Sequence, residues 1–240
     1  MKVCVIIPNY NHHQWLDESI NSAISQTYKD IEILVVDDGS NDKEKVKSIV
    51  RENSTFDNRV KYIDLPKNIG KWNALNEAIK STSCKLITTL DADDVCPSDR
   101  IERQVMVFKE LPDVLHLLTG FHHCWTPEEL SLNNLILQTK QLNIVLPPDV
   151  RQMVLTGFAT PGINHYFTGN IETAGASAMF YRDLWEMGFR FNPPKLGLRT
   201  LLSEDSDFNF RITVALGRTA ILNEKLYCYR RNTSTNREEI

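Results

Sequence analysis

What most constrains this chain is an arrangement repeated through roughly its first hundred residues. A short, almost wholly apolar run breaks off into a polar, turn-forming stretch. Val3–Ile7 (VCVII) ends at Pro8-Asn9-Tyr10-Asn11, and Ile31–Val36 (IEILVV) ends at Asp37-Asp38-Gly39-Ser40. Lys85–Leu90 (KLITTL) ends at Asp91-Ala92-Asp93-Asp94. Apolar runs this short, rich in β-branched residues, suit strands buried on both faces of a parallel sheet. Between them apolar residues recur at helical spacing: Trp15, Leu16, Ile20, Ala23 and Ile24, then Val46, Ile49 and Val50, then Leu75, Ala78 and Ile79 behind Asn68-Ile69-Gly70. With Val60–Leu65 as a further strand, the pattern predicts an open α/β sheet with right-handed crossovers. Loops that leave the strands of such a sheet gather on its carboxyl edge, where ligands bind. The three polar loops should therefore form one site.

The remainder is less regular. The spacing predicts a helix over Ser98–Leu111 with Ser98 as its N-cap, then a strand over Asp113–Gly120. Phe121–Tyr166 breaks the pattern with mixed polarity and scattered prolines, and holds one helix near Pro127–Leu142. It reads as a variable lid or partner-recognition insert and not as a separate domain. Gly175–Arg182 reads as a strand that starts in small residues, where a ligand or backbone can approach closely. A helix opening at Ser203-Glu204-Asp205-Ser206-Asp207 precedes a last strand, Ala220–Tyr229. The whole chain, 1–240, is expected to form a single domain. It divides into a first half, 1–115, and a second half, 116–240, with the insert at 121–166.

Apolar content of 42% and charged content of 24% belong to an ordinary globular protein. A net charge of −4, with no basic run interleaved with aromatics, argues against nucleic acid as a partner. Five cysteines at scattered spacing without C-x-x-C predict neither a zinc site nor a disulfide framework, and fit a reducing compartment. The chain enters its first strand at once, so no leader peptide is expected, and no apolar run is long enough to span a membrane. These readings point to the cytoplasm, with attachment to the inner membrane face left open. Oligomeric state is not legible.

The acidic loop carries the chemistry. Asp91, Asp93 and Asp94 fall within four positions, and crowded carboxylates repel and raise one another's pKa unless positive charge joins them. A hard divalent cation, Mg²⁺ or Mn²⁺, supplies it. Alternation along an extended backbone puts Asp91 and Asp93 on one side. A solvated acidic turn is the alternative reading of this stretch alone.

Taken together and in order, PNYN, VDDGS, N-x-G-K-x-x-A-L-N, LDADD, the GASAMF strand and an E-D pair opening a helix resemble the family 2 inverting glycosyltransferases of GT-A fold. The resemblance is dense over 1–110 and looser over 170–235. It implies a metal-assisted enzyme that moves a sugar from a nucleotide donor, a UDP-sugar, to a hydroxyl of a glycan or lipid-linked acceptor. It places Asp38 on the base of the nucleotide, with Pro8 and Tyr10 bordering that pocket. Asp91 would sit by the ribose, and Asp93, with Asp91, at the metal that bridges the donor phosphates. Asn68, Gly70 and Lys71 open the neighbouring helix, whose N-terminus would help hold the nucleotide. A plain turn and helix cap explains Asn68 and Gly70 equally well, and a solvated charge explains Lys71. The base that takes the acceptor proton would be Asp205, with Glu204 touching the acceptor and Asp207 as a nearby competitor. Arg211 lies on the same helix and could buttress these acids.

One departure stands out. Many relatives carry Y-R-x-H near the end, but here Tyr229-Arg230 are followed by Asn232 at the histidine position. Arg230 is a candidate for the diphosphate, or part of a solvated basic tail. His122, His123 and Cys124 lack the partners of a zinc set. Trp125 is a candidate sugar-stacking residue. Two rival readings remain open: a metal-dependent phosphatase or phosphotransferase built on LDADD, although Val95 stands where such enzymes carry Thr or Ser, and a non-catalytic sugar-nucleotide-binding module.

Overall fold

The computed structural model of the chain describes residues 1–124, 143–145, 175–196 and 201–230. Its first part alternates as expected: β1 (Val3–Asn9), α1 (His13–Ile24), β2 (Ile31–Asp37), α2 (Lys43–Phe56), β3 (Val60–Asp64), α3 (Lys71–Ser81) and β4 (Leu86–Thr89). Helix α4 (Arg100–Glu110), β5 (His116–Cys124) and β6 (Asn143–Val145) follow. Then come a 3-10 turn at Gly175–Ser177, β7 (Met179–Tyr181), the short α5 (Asp183–Glu186) and the small pair β8 (Lys195–Leu196) and β9 (Leu201–Leu202). Helix α6 (Glu204–Leu216) and β10 (Thr219–Arg230) complete the described chain.

One sheet organises these elements, in the order β3-β2-β1-β4-β7-β5-β10-β6. The first four strands are parallel. β7 runs antiparallel to both β4 and β5, β5 and β10 are parallel, and β6 closes the edge antiparallel to β10. The carboxyl ends of β1, β2, β4, β5 and β10, and the amino end of β7, therefore share one edge. Every residue of β1 and β2 is buried, and alternation sends successive side chains to opposite faces. Val3, Val5 and Ile7 pack with Leu16 and Ile20 of α1, Val46 of α2, and Ile101 and Phe108 of α4. Cys4 and Ile6 pack on the other face with Leu75 and Ile79 of α3, Phe180 of β7, and Phe208 and Ile212 of α6. Each such side chain contributes about 1.5–3 kcal/mol when fully buried.

Four details depart from the sequence reading. Helix α4 starts at Arg100 rather than Ser98, because Pro97 and Ser98 are held away from it: their carbonyls accept from Gln26 Nε2 (2.8 Å) and the Thr27 N–H (2.7 Å). The same Gln26 carboxamide takes the Ile101 N–H (3.0 Å), a cap supplied from another helix. Gly175–Ser177 is a turn and not the start of a strand. Strand β5 runs on through Phe121–Cys124, paired with β10, so the irregular insert does not begin at 121. Finally, Cys124 and Cys228, neighbours across those strands with Cα atoms 6.1 Å apart, are joined as a disulfide, contrary to the expectation of none. Scattered cysteines hide such a pair, because strand register and not sequence spacing brings the two together. The helix expected at Pro127–Leu142, and Trp125, Arg231 and Asn232, lie outside the described residues. Among the described residues no helix is long and apolar enough to cross a membrane.

Candidate active site

The first two loops of the carboxyl edge are tied to each other by buried polar groups. Asn9 Nδ2 donates to Asp37 Oδ1 (2.8 Å) and to Ser40 Oγ (3.1 Å), and Ser40 Oγ donates to Asp37 Oδ1 (2.5 Å). Asn11, in the left-handed region at φ 60°, gives its N–H to Ser40 Oγ (2.9 Å) and takes that of Asn41 (2.8 Å). Asp37 is thus the lock of VDDGS. Asp38 is buried, and its carboxylate accepts the Ile69 N–H at 2.7 Å. Burial raises its pKa, the amides of Ile69 and Gly70 pull it back, and Asp37 pushes it up again. Asn68 Oδ1 accepts the Gly70 N–H (3.0 Å), an Asx turn that opens α3. Gly70 has φ 89°, and a Cβ there would collide with the Trp72 ring. Turn geometry alone therefore accounts for Asn68 and Gly70. Pro8 is buried within β1, and Tyr10 lies half-buried just beyond that strand.

Lys71, the first residue of α3, is no solvated charge. Its Nζ lies 2.8 Å from Asp91 Oδ1 and 3.0 Å from Glu204 Oε1, joining the acidic loop to the E-D pair. Burial works against the ammonium, but Asp91, Glu204 and Asp205 outweigh it and hold its pKa well above the ordinary value. For Glu204 burial is opposed by Lys71, which leaves the carboxyl below its usual range. For Asp91 burial prevails over Lys71, with help from Asp93, and the pKa rises.

The three acids of LDADD play different parts. Asp94, 1% exposed, is a clamp: Tyr227 Oη donates to its Oδ2 (2.7 Å) and the Arg230 N–H to its Oδ1 (2.8 Å). Burial, then Asp91 and Asp93, raise its pKa well above normal. Val95 and Cys228 exchange backbone hydrogen bonds, which stitches the loop to β10. Arg230 is likewise committed to the loop and is no part of a solvated tail. Only 7% exposed, it donates from Nε to the Asp93 carbonyl (2.8 Å) and from an Nη to Glu18 (2.5 Å), and its guanidinium lies 4.2 Å from the Trp15 ring centroid. Trp15 was expected in the core of α1 and serves here as a platform. Beneath the loop the fully buried Arg100 donates to Thr88 Oγ1 (2.8 Å) and to the carbonyls of Thr89 (3.0 Å) and Ala176 (3.4 Å). Asp93 has His12 Nδ1 at 3.8 Å from its Oδ2.

The run E-D-S-D is equally differentiated. Glu204 belongs to Lys71. Asp207 receives Arg211 Nε (2.9 Å) and Asn192 Nδ2 (3.1 Å). Asp205 has no ion pair within 4 Å among the described residues; its Oδ1 accepts from the Ser203 hydroxyl and the Ser206 N–H (2.7 Å). Its carboxylate lies so close to Gly175 that a Cβ there would collide with it. Asn209, one turn on, donates to the Gly175 carbonyl (3.2 Å) and accepts from His116 Nε2 (2.9 Å). His116 is fully buried on β5, and that burial lowers its pKa to about 4. It stays neutral, with Nδ1 left to accept from the Thr219 hydroxyl (3.1 Å).

The edge thus gathers Asp38, Lys71, Asp91, Asp93, Glu204, Asp205 and Arg230. Sequence reasoning missed the Asn9-Asp37-Ser40 lock, Tyr227, Arg100, Glu18 and His12. Among the described residues no three His, Cys, Asp or Glu side chains converge as a ready-made metal cage.

Comparison with known proteins agrees. The model of glycosyl transferase family 2 matches residues 4–184. An uncharacterized glycosyltransferase of Rickettsia conorii is 31% identical over 196 residues, which are 80% of this chain and 32% of that protein. One from Haemophilus influenzae is 42% identical over 103 residues, covering 43% of this chain and 31% of the relative. The chain spans about a third of the length of these curated relatives. Among solved structures, S. aureus TarS 1-349 in complex with UDP superposes with a TM-score of 0.67 at 20% identity, covering 96% of this chain and 60% of that one. The mannosyltransferase PcManGT from Pyrobaculum calidifontis, in complex with GDP-Man and Mn²⁺, gives 0.60 at 21% identity, over 98% and 57%. The structures share the fold, a mostly parallel α/β sheet flanked by helices, and with a family match over most of its length the chain belongs to glycosyl transferase family 2.

Proposed function

We propose that this domain transfers a sugar, with inversion, from a nucleoside-diphosphate donor to an acceptor hydroxyl. The observation that carries the reading is Lys71, which links the donor-side Asp91 to the acceptor-side Glu204 and so makes one site of two motifs 113 positions apart. Asp38 would accept the ring N–H of a uracil, with Pro8 and Tyr10 beside it, while Asn68 and Gly70 aim the N-terminus of α3 at the nucleotide. Asp91 would lie by the ribose, and Arg230 would steady the loop beneath the diphosphate. A UDP-sugar is the favoured donor. TarS structures carry UDP and UDP-GlcNAc, and PcManGT carries GDP-Man.

The acceptor oxygen attacks the anomeric carbon from the face opposite the diphosphate, the glycosyl–phosphate bond breaks, and Asp205 takes the hydroxyl proton. Its lack of an ion pair among the described residues favours it over Asp207, and Glu204 would orient the acceptor. The acidic loop fits a divalent cation, because Asp93 faces a buried nitrogen, His12 Nδ1, that has no hydrogen-bond partner. Asp93 and Asp91 would hold Mn²⁺ or Mg²⁺, which when bound acts as a Lewis acid on the leaving diphosphate. The acceptor would be a glycan or a lipid-linked saccharide of the cell envelope, and a lipid-linked one would bring the domain to a membrane face. The phosphotransferase reading is disfavoured, since Val95, where a Thr or Ser would stand, is buried and stitched to Cys228.

Asp205→Asn tests the assignment. Hydrolysis of the UDP-sugar, followed as UDP release, should fall about 10²–10⁴-fold, the usual weight of a general base, while UDP binding by calorimetry is unchanged. Full turnover in the variant would refute it.

A further inference from the structure

The geometry points to His12 as a nitrogen ligand of the divalent cation, an assignment that rests on the donor-site reading above. The backbone of His12 is fixed on both sides. Asn11 before it is bonded to Ser40 and Asn41, and the His12 carbonyl receives the Trp15 and Leu16 N–H groups that begin α1. Only the ring can turn, and the ring is largely enclosed, 21% exposed. Its Nδ1 is buried without a hydrogen-bond partner, yet stands 3.8 Å from Asp93 Oδ2. A buried polar atom is costly to leave unmatched. Two cis bonds of about 2.1 Å to one octahedral cation set their donors about 3.0 Å apart, so a turn of the ring that brings Nδ1 less than about 1 Å nearer would let the two share it.

Arg230 holds the Asp93 carbonyl and Glu18, so its charge is engaged away from the carboxylate oxygen that His12 faces. Asp91, the other carboxylate proposed for the cation, is shared with Lys71, and no three His, Cys, Asp or Glu side chains converge as a cage among the described residues, so diphosphate oxygens and water would complete the coordination. A nitrogen donor also changes which metal is preferred. Imidazole suits transition metals, whereas Mg²⁺ selects oxygen, so Mn²⁺ should bind more tightly than Mg²⁺.

The test is pulsed electron paramagnetic resonance of Mn²⁺ bound to the 240-residue chain with UDP, read for ¹⁴N and ³¹P couplings. The expected result is a ¹⁴N coupling that vanishes in His12→Gln and in His12→Phe, and persists in His13→Gln, the adjacent histidine that pairs with Asp42. Loss of the ligand should weaken Mn²⁺ binding by at least about tenfold and narrow the Mn²⁺-over-Mg²⁺ preference. A ³¹P coupling without ¹⁴N, or a ¹⁴N coupling unchanged in both His12 variants, overturns the His12 assignment and leaves the donor-site reading intact. No bound Mn²⁺ overturns both. A ¹⁴N coupling without ³¹P upholds His12 and removes the diphosphate from the metal.

Discussion

Asp205 and Asp207 stand two positions apart on α6 in different surroundings. Asp207 is neutralised by Arg211 and braced by Asn192, whereas Asp205 faces the edge beside Gly175. Asp207→Asn should therefore leave donor hydrolysis near wild type and lower stability by about 1–3 kcal/mol, the cost of a broken charged hydrogen bond; urea melts alongside UDP release would separate the two. His116 offers a second test. Above pH 6.5 its imidazole is neutral in both folded and unfolded chains. Between 6.5 and about 4 the unfolded chain takes up a proton that the buried ring refuses, so stability falls as pH is lowered through that window. The loss should reach about 3 kcal/mol, and His116→Gln should flatten the slope of denaturation midpoint against pH. At this scale alternation sets Asp91 and Asp93 apart from Asp94 in the sequence, but the sequence leaves Asp207 a competitor of Asp205 and does not tell which of the acids of LDADD is buried. Which of them is buried depends on Tyr227 and Arg230, more than a hundred positions away, and no local pattern reports that.

Turn Gly175–Ser177 shows how an element can be misread when side chains replace the ladder. Its residues look strand-like, but the carbonyls of Ala176, Ser177 and Ala178 accept from Thr89 (3.0 Å), Gln104 (2.8 Å) and Thr88 (2.7 Å), leaving strand pairing to begin at Met179. The parallel strands were legible because buried β-branched runs have few other uses. The turn was not, because its partners come from β4 and α4. Gly175→Ala should push the Asp205 carboxylate aside. A displacement of about 1 Å costs on the order of 10²-fold, seen as a fall in kcat with UDP affinity unchanged; an unaltered kcat would mean that Asp205 tolerates the shift.

Across the whole molecule the disulfide links β5 to β10 over 104 positions, so unreduced, denatured protein should present three titratable thiols, those of Cys4, Cys84 and Cys96, out of five. Five would return the chain to the reducing reading of its composition. The alternation of the first part gave away the parallel half of the sheet, but the position of β7 between β4 and β5 was not legible, since three residues carry too little pattern to announce a central strand. That position has a consequence for how the protein is made. When β5 leaves the ribosome, the place beside β4 is still vacant, and its occupant emerges only after residue 181, on the order of several seconds later at ordinary synthesis rates. Until then two unfinished edges, each a template for foreign strands, wait side by side. A chain released before β7 would keep both open, and one cut in two after residue 115 would leave the β4 edge bare, since β5 and β7 then share the other fragment; the cell has reason to shield this nascent protein until its late-arriving middle is in place.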